Sequence, residues 1–336
     1  MKLLILYREL AAYTVECINK LAQQAEITLI HYPLNAEAPF QFVIDTRIKR
    51  IEKGSFEFEK QLHSTEAYTH VLISGWADQT YNSIAAKQTN AIRIMTFDTA
   101  WKNTLKFQLG SLYLRWKLGS KYHYAFIPGQ AQWTFAKRLG FKEKHIQIGL
   151  YTATDQFKKV NFEPAPSKEL WCVARYIPQK NLSLLWEAFS EIAPNNRSGW
   201  TLHCAGTGEL FEHRTEVDGI IHHGFLQPEE LARKTSNASA FILPSIYEPW
   251  GVVVHEWAKM GKPMLLSSEV GAAKDLLDEG ENGFTFSPFS KSELKAALIQ
   301  LFNSSDQTLK NMGEKSFELS MKFSSDLWVQ HLLSLK

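Results

Sequence analysis

The sequence predicts an α/β protein of two domains, each a parallel sheet with helices on both faces. Three observations carry this. The chain has 336 residues, which suits two domains of about 150 residues each. Short apolar runs alternate with segments of helical spacing, the pattern of strand–helix–strand units. The alternation is interrupted once, at Asn161-Phe162-Glu163-Pro164-Ala165-Pro166-Ser167, where two prolines among small and polar neighbours read as an interdomain linker.

Leu3 to Leu6 is an apolar run short enough for a buried strand, and Tyr13 to Gln23 carries helical spacing. Ile27 to Ile30, Thr69 to Ser74 and Ala91 to Thr96 are further strands, with a helix over Gln79 to Gln88 between the last two. After the linker the pattern restarts with strands at Glu169 to Ala174, Thr201 to Ala205 and Ala240 to Leu243. Helices are expected over Asn181 to Ile192 and Ser290 to Asn303, and the segment Glu314 to Lys336 is amphipathic to the end of the sequence. Sheets of this kind take ligands beyond the carboxyl ends of their strands, so the loops after strands are where function should lie.

Composition is that of an ordinary soluble protein, with 45% hydrophobic and 21% charged residues and a net charge of +2. Nothing in the balance points to nucleic acid. Cys17, Cys172 and Cys204 are odd in number, lack metal-ligand spacing and read as free thiols in a reducing compartment. The opening run Met1 to Leu6 is too short for a signal peptide, and no run of 18 apolar residues occurs, so the expected location is the cytoplasm.

The most informative stretch is Glu248-Pro249-Trp250-Gly251-Val252-Val253-Val254-His255-Glu256. The first carboxylate falls in the loop after a strand, the second a turn or more into the following helix. The N–H groups of Gly251 and Val252 are the donors of that helix's first turn, a ready anion site. Amides at a phosphate and carboxylates at ribose and sugar would suit a sugar nucleotide. Upstream, Arg175 ends the first strand after the linker and Lys180 follows on the same loop, two cations suited to a diphosphate. His203-Cys204-Ala205-Gly206-Thr207-Gly208 ends a strand in a G-x-G turn. His222 and His223 lack ligand spacing and read as turn residues, so no metal is expected.

This stretch resembles the E-x7-E signature of retaining glycosyltransferases of family 4, which have the GT-B fold. Val173 to Asn181 resembles the family's G-R-x-x-x-x-K-G segment, with Ala174 and Asn181 in place of its glycines. The G-x-G turn, His223-Gly224-Phe225-Leu226, Leu243-Pro244-Ser245, Gly261-Lys262-Pro263, Gly271 and Gly280 to Gly283 follow in the family's order, so the likeness is strongest over about 168–300. Trp257 stands where the family usually has Ala. The resemblance implies two Rossmann-like α/β/α domains facing each other across a cleft. It places the acceptor with 1–160, the donor with 165–315, and a last helix, 316–336, back on the N-terminal domain. It implies that Glu256 accepts from the ribose hydroxyls and that Glu248 holds the donor sugar. Arg175 and Lys180 neutralise the diphosphate, and the backbone of Trp250, Gly251 and Val252 contacts sugar or phosphate. Gly206, Gly224 and Phe225 line the nucleotide.

The first half is less explicit. Tyr7-Arg8-Glu9-Leu10 has no glycine where many relatives carry a Gly-rich loop, and Phe97 stands where many carry His in a His-Asp pair. Asp98 remains as a cleft carboxylate or a helix N-cap. Gly75 and Trp76 fit either an acceptor pocket or a buried turn. Residues 101–145 carry nine Lys and Arg against a single acid, Glu143, with aromatics interleaved over 101–121. That stretch fits either a solvated helix with a core face or a peripheral contact with an anionic membrane at its inner face.

The expected function is transfer of a hexose from a UDP- or GDP-linked donor to a sugar or lipid-linked sugar acceptor, with retention and without metal or other cofactor, in polysaccharide or glycolipid assembly. A nucleotide-sugar epimerase of the same fold and a catalytically silent nucleotide-sugar binding protein are the alternatives.

Overall fold

The computed structural model describes residues 1–34, 41–118, 121–160 and 167–336. Most of the linker, 161–166, lies outside the described residues. The chain divides into two compact units, Met1–Thr154 joined by Phe323–Lys336, and Asp155–Lys322.

The first unit is built on a seven-stranded sheet, every pair parallel, in the order β3-β2-β1-β4-β5-β6-β7. These are β1 Lys2–Tyr7, β2 Glu26–His31, β3 Lys49–Glu52, β4 His70–Ser74, β5 Ile92–Thr96, β6 Tyr124–Ile127 and β7 Ile146–Ile148. Leu3 to Leu6 at its centre are wholly buried, because helices cover both faces of a parallel sheet. Helix α1, Ala12–Leu21, buries Val15, Cys17, Ile18 and Leu21. Asp78 caps α3, Gln79–Lys87, by accepting from the Tyr81 N–H, and Lys53 pairs with that same carboxylate at 2.7 Å.

The amphipathic segment 314–336 is not one helix. It belongs to α11, Asp306–Ser320, and α12, Ser325–Leu333. Ser324 breaks the run, since its side chain accepts from the Leu327 N–H and starts a new helix. The apolar periodicity carries across the break, which is why it read as continuous. Helix α12 lies on α1 in the first unit, with Trp328 against Phe126 at 5.9 Å between ring centres.

The second unit repeats the plan with six parallel strands in the order β10-β9-β8-β11-β12-β13. They are β8 Glu169–Val173, β9 Thr201–Ala205, β10 Ile220–His222, β11 Ala240–Leu243, β12 Met264–Ser267 and β13 Gly283–Phe286. Trp186 and Phe189 from α6, Leu182–Ser190, and Leu298 and Leu301 from α10, Lys291–Phe302, fill the core on one face. Each such side chain removed from water contributes about 1.5–3 kcal/mol. Both sheets run outward from a central strand in opposite directions. In the second unit the reversal falls between β8 and β11, the place where open α/β sheets leave a crevice beyond the strand ends.

Candidate functional site

The loops after β8 and β11 flank that crevice, and they hold the paired cations and the first carboxylate. Lys180 Nζ donates to Glu248 Oε2, and the two side chains are only 15% and 12% exposed. Backbone contacts lock the loops that carry them. The Ile246 N–H donates to Gln179 O at 2.9 Å, and Gln179 Nε2 donates to Tyr247 O at 2.7 Å. Asn181 Nδ2 donates to Pro244 O and Pro288 O, at 3.2 and 2.8 Å. Asn181 has φ of 58°, a left-handed conformation that asparagine tolerates better than most residues. Arg175 lies exposed at the start of the same loop. Gln179 was not singled out by sequence, and Asn181 was noted only as a departure from a glycine, not as a residue that ties loops together. Their only signal was a polar side chain beside the motif lysine.

The next two loops are stitched to the first. The Tyr176 N–H donates to Thr207 O at 2.9 Å, and the Gly206 N–H to Gly224 O at 2.7 Å. A side chain at Gly206 would meet the Ala174 carbonyl oxygen at 1.9 Å, so only glycine allows the G-x-G turn to lie this close. Gly206 and Gly224 thus line up beside the Arg175 loop at the carboxyl ends of three adjacent strands, with Phe225 partly exposed at their edge.

The turn Pro249-Trp250-Gly251 is clamped from the other side by the loop after β12. The Gly271 N–H donates to Glu248 O and the Ala272 N–H to Trp250 O, both at 2.9 Å. A Cβ at Gly271 would sit 2.0 Å from the Pro249 carbonyl oxygen. The Trp250 ring is wholly buried, and its Nε1–H donates to Asp275 Oδ2 at 3.2 Å. Gly251 caps α8, Val252–Lys259, and offers no side chain to the first-turn N–H groups of that helix. Glu256 sits one turn further in and is half-buried. Burial alone raises its carboxyl to about 7. A carboxyl held there without a partner charge is poised for hydroxyl donors from a ligand.

Two expectations need correction. His223 is not a simple turn residue. It stacks on Trp171 at 4.6 Å between ring centres and bonds His203 across 3.0 Å, and burial pulls it down to about 4. Sequence could not pair these rings because β9 and β10 bring them together from 20 residues apart. Asp98 is not a helix N-cap, because the next helix, α4, begins at Leu105. Its Oδ2 instead accepts from the Tyr151 hydroxyl at 3.3 Å. Phe97 is buried with Trp76 and Phe135, its ring centre 5.7 Å from each, in an aromatic cluster. Trp257, in the family's Ala position, stacks on Phe241 at 4.9 Å and is core packing. Among the described residues no group of three or more His, Cys, Asp or Glu could hold a metal ion.

Residues 153–318 match the family model described as Glycosyl transferases group 1. The chain carries a glycosyl transferases group 1 domain. Among curated proteins the chain is similar to an uncharacterized glycosyltransferase of Methanocaldococcus jannaschii, 26% identical over 158 residues, covering 45% of this chain and 43% of that one. It is also similar to alpha-D-kanosaminyltransferase of Streptomyces kanamyceticus, 27% identical over 171 residues, covering 46% of this chain and 44% of that one. The chain thus spans less than half the length of these relatives. Among solved structures it is similar to Anabaena HepE in complex with UDP and glucose, with a TM-score of 0.72, 14% identity and coverage of 99% and 98%. It is similar as well to sucrose-phosphate synthase from Thermosynechococcus elongatus, with a TM-score of 0.74, 16% identity and coverage of 98% and 96%. The fold is GT-B.

Proposed function

We propose that this glycosyltransferase domain takes a nucleotide diphosphate sugar and that the protein moves its hexose to an acceptor hydroxyl with retention, as in family 4. The observation that carries the reading is the sheltered pair of Glu248 and Lys180, the latter on the loop that begins with Arg175, at the sheet's reversal point and just before the start of α8. Arg175, Lys180 and the N–H groups of Gly251 and Val252 neutralise the leaving diphosphate, so the charge that develops as the glycosidic bond breaks meets fixed donors. Two cations in those places replace a metal ion. Glu248 holds hydroxyls of the donor sugar and orients Lys180 until the diphosphate arrives. Glu256 accepts from the ribose hydroxyls, as a carboxylate can at both oxygens. Gly206, Gly224 and Phe225 border the base.

The acceptor belongs to the N-terminal unit, where Asp98 is the carboxylate offered to it. With Phe97 in place of a histidine, the incoming hydroxyl passes its proton to the departing phosphate rather than to an imidazole. A UDP- or GDP-linked hexose as donor, a sugar or lipid-linked sugar as acceptor, and cytoplasmic work in polysaccharide or glycolipid assembly complete the proposal. UDP in a solved GT-B relative, Anabaena HepE, supports the donor class.

The test is incubation with UDP- and GDP-hexoses and simple sugar acceptors in EDTA, with the product's anomeric configuration read by NMR. A glycoside of the donor's own configuration is expected. Inversion would overturn the reading. A new sugar isomer formed without acceptor would make the protein an epimerase, and nucleotide binding with no turnover on any acceptor would make it a silent binding protein.

A further inference from the structure

Helix α4, Leu105–Leu118, carries more apolar surface than its own core can use. One face is spent on packing: Ser111 and Leu118 are buried, and Phe107 and Leu114 pack against the first unit's core beside Trp101 and Phe135. The opposite face is apolar too, and it is bare. Leu105, Leu109, Leu112, Tyr113 and Trp116 are 71, 60, 62, 56 and 81% exposed. At about 100° per residue these five fall within an arc of roughly 100°, centred about 180° from the packed arc. Isolated exposed apolar residues need no explanation, but a contiguous row ending in an exposed tryptophan does.

Cations border the row. Lys106 and Lys117 flank it on one side and Arg115 on the other, all exposed. Lys117 Nζ lies 5.8 Å from the Tyr113 ring, and Tyr113 and Trp116 are 6.2 Å apart. Lys102 precedes the helix, and Arg138, Lys142 and Lys144 follow from α5, Gln130–Arg138, and the loop beyond it. The one acid of the whole 101–145 stretch, Glu143, is already paired with Lys137 at 2.5 Å.

We propose that this face of α4 is a docking surface for an anionic lipid bilayer, with Leu109, Leu112 and Trp116 entering the headgroup–acyl boundary and the flanking Lys and Arg meeting lipid phosphates. The charge decides the occupant. A second copy of this chain docking here by the same face would bring two strongly basic surfaces together, whereas an anionic bilayer complements both parts of the surface. Tyr and Trp are the residues that settle at such a boundary, and lysine stems reach past the apolar row to keep their ammonium groups in the headgroup layer. The sequence left open whether this segment is a core helix or a membrane contact; the structure gives it one face for each.

The test is flotation of the full chain with vesicles of phosphatidylcholine alone or of phosphatidylcholine mixed with phosphatidylglycerol, whose negative surface potential attracts Lys and Arg. No nucleotide sugar is present, so the outcome is independent of the transferase reading. Binding to the anionic vesicles is expected, and the Lys106→Gln/Lys117→Gln variant should bind about fivefold more weakly for each charge removed. Leu109→Ser/Leu112→Ser/Trp116→Ser should lower binding by more than about tenfold with an unchanged unfolding midpoint, because these side chains support no core. Failure to float with anionic vesicles, equal binding to neutral ones, or a concentration-dependent dimer abolished by the triple variant would each overturn the proposal.

Discussion

Replacing Glu248 by Ala is expected to lower kcat by about 10²–10³-fold, with less than about a tenfold change in nucleotide affinity. In the free protein Glu248 and Lys180 neutralise each other in a setting sheltered from water. Removing the carboxylate frees the ammonium, which can still meet a diphosphate, but removes the group that holds the donor sugar. Lys180→Met behaves differently. It leaves a sheltered carboxylate without its countercharge, so stability falls by about 3 kcal/mol and both affinity and kcat fall with it. The double variant Lys180→Met/Glu248→Leu should recover most of that stability while remaining inactive, since it removes both charges at once. Steady-state kinetics and urea denaturation of the three variants check this. A kcat within threefold of wild type in Glu248→Ala would remove the assignment of these two residues.

Replacing Glu256 by Gln is expected to stabilise the protein above pH 7 while weakening nucleotide binding. Burial raises the folded-state carboxyl to about 7 from an ordinary 4.5. The folded chain therefore binds the proton more tightly than the unfolded chain. The stability that goes with it is present below pH 4.5 and lost as pH rises through 7. The glutamine has no charge to bury, so its advantage grows across that window. It should level off above pH 7 at about 1–3 kcal/mol, the lower part of the range reflecting the side chain's partial exposure. Affinity for a nucleoside diphosphate should drop about 10–100-fold in the variant. In the wild type it should weaken as pH falls below 7, because protonation removes one of the acceptors offered to the ribose. Denaturation midpoints at pH 5 and pH 8 give the first sign, and binding against pH gives the second. Equal stabilities of wild type and Glu256→Gln at both pH values would contradict a carboxylate buried without a partner.

The strands around each reversal point were readable because strands buried on both faces are continuous apolar runs, as at Leu3 to Leu6 and Ala240 to Leu243, but Tyr124–Ile127 and Met264–Ser267, interior too, were passed over. Edge strands were not readable. Lys49–Glu52 has one buried residue in four, and Ile220–His222 is three residues long, so neither stands out by pattern. The loops of the site were readable as motifs, and Gly206 and Gly271 are glycines for a reason now visible in the carbonyls they approach. The contacts that make the loops one surface were not readable. Lys180 and Glu248 are 68 residues apart, and their pairing depends on β8 and β11 being neighbours across the reversal point. The break at Ser324 was hidden by apolar periodicity that passes through it, and the bare face of α4 could not be told from a packed one, since both have helical spacing.

The central claim is that the domain's loops hold a nucleoside diphosphate through fixed cations. Calorimetric titration of UDP and GDP in EDTA, into the wild type and Arg175→Ala, tests it most directly. One nucleotide is expected to bind with a Kd in the range of about 1 μM to 1 mM, in line with ordinary substrate affinities, and about tenfold or more weaker in Arg175→Ala. Absence of binding by both nucleotides, binding only when a divalent metal is restored, or binding indifferent to Arg175 would contradict the account.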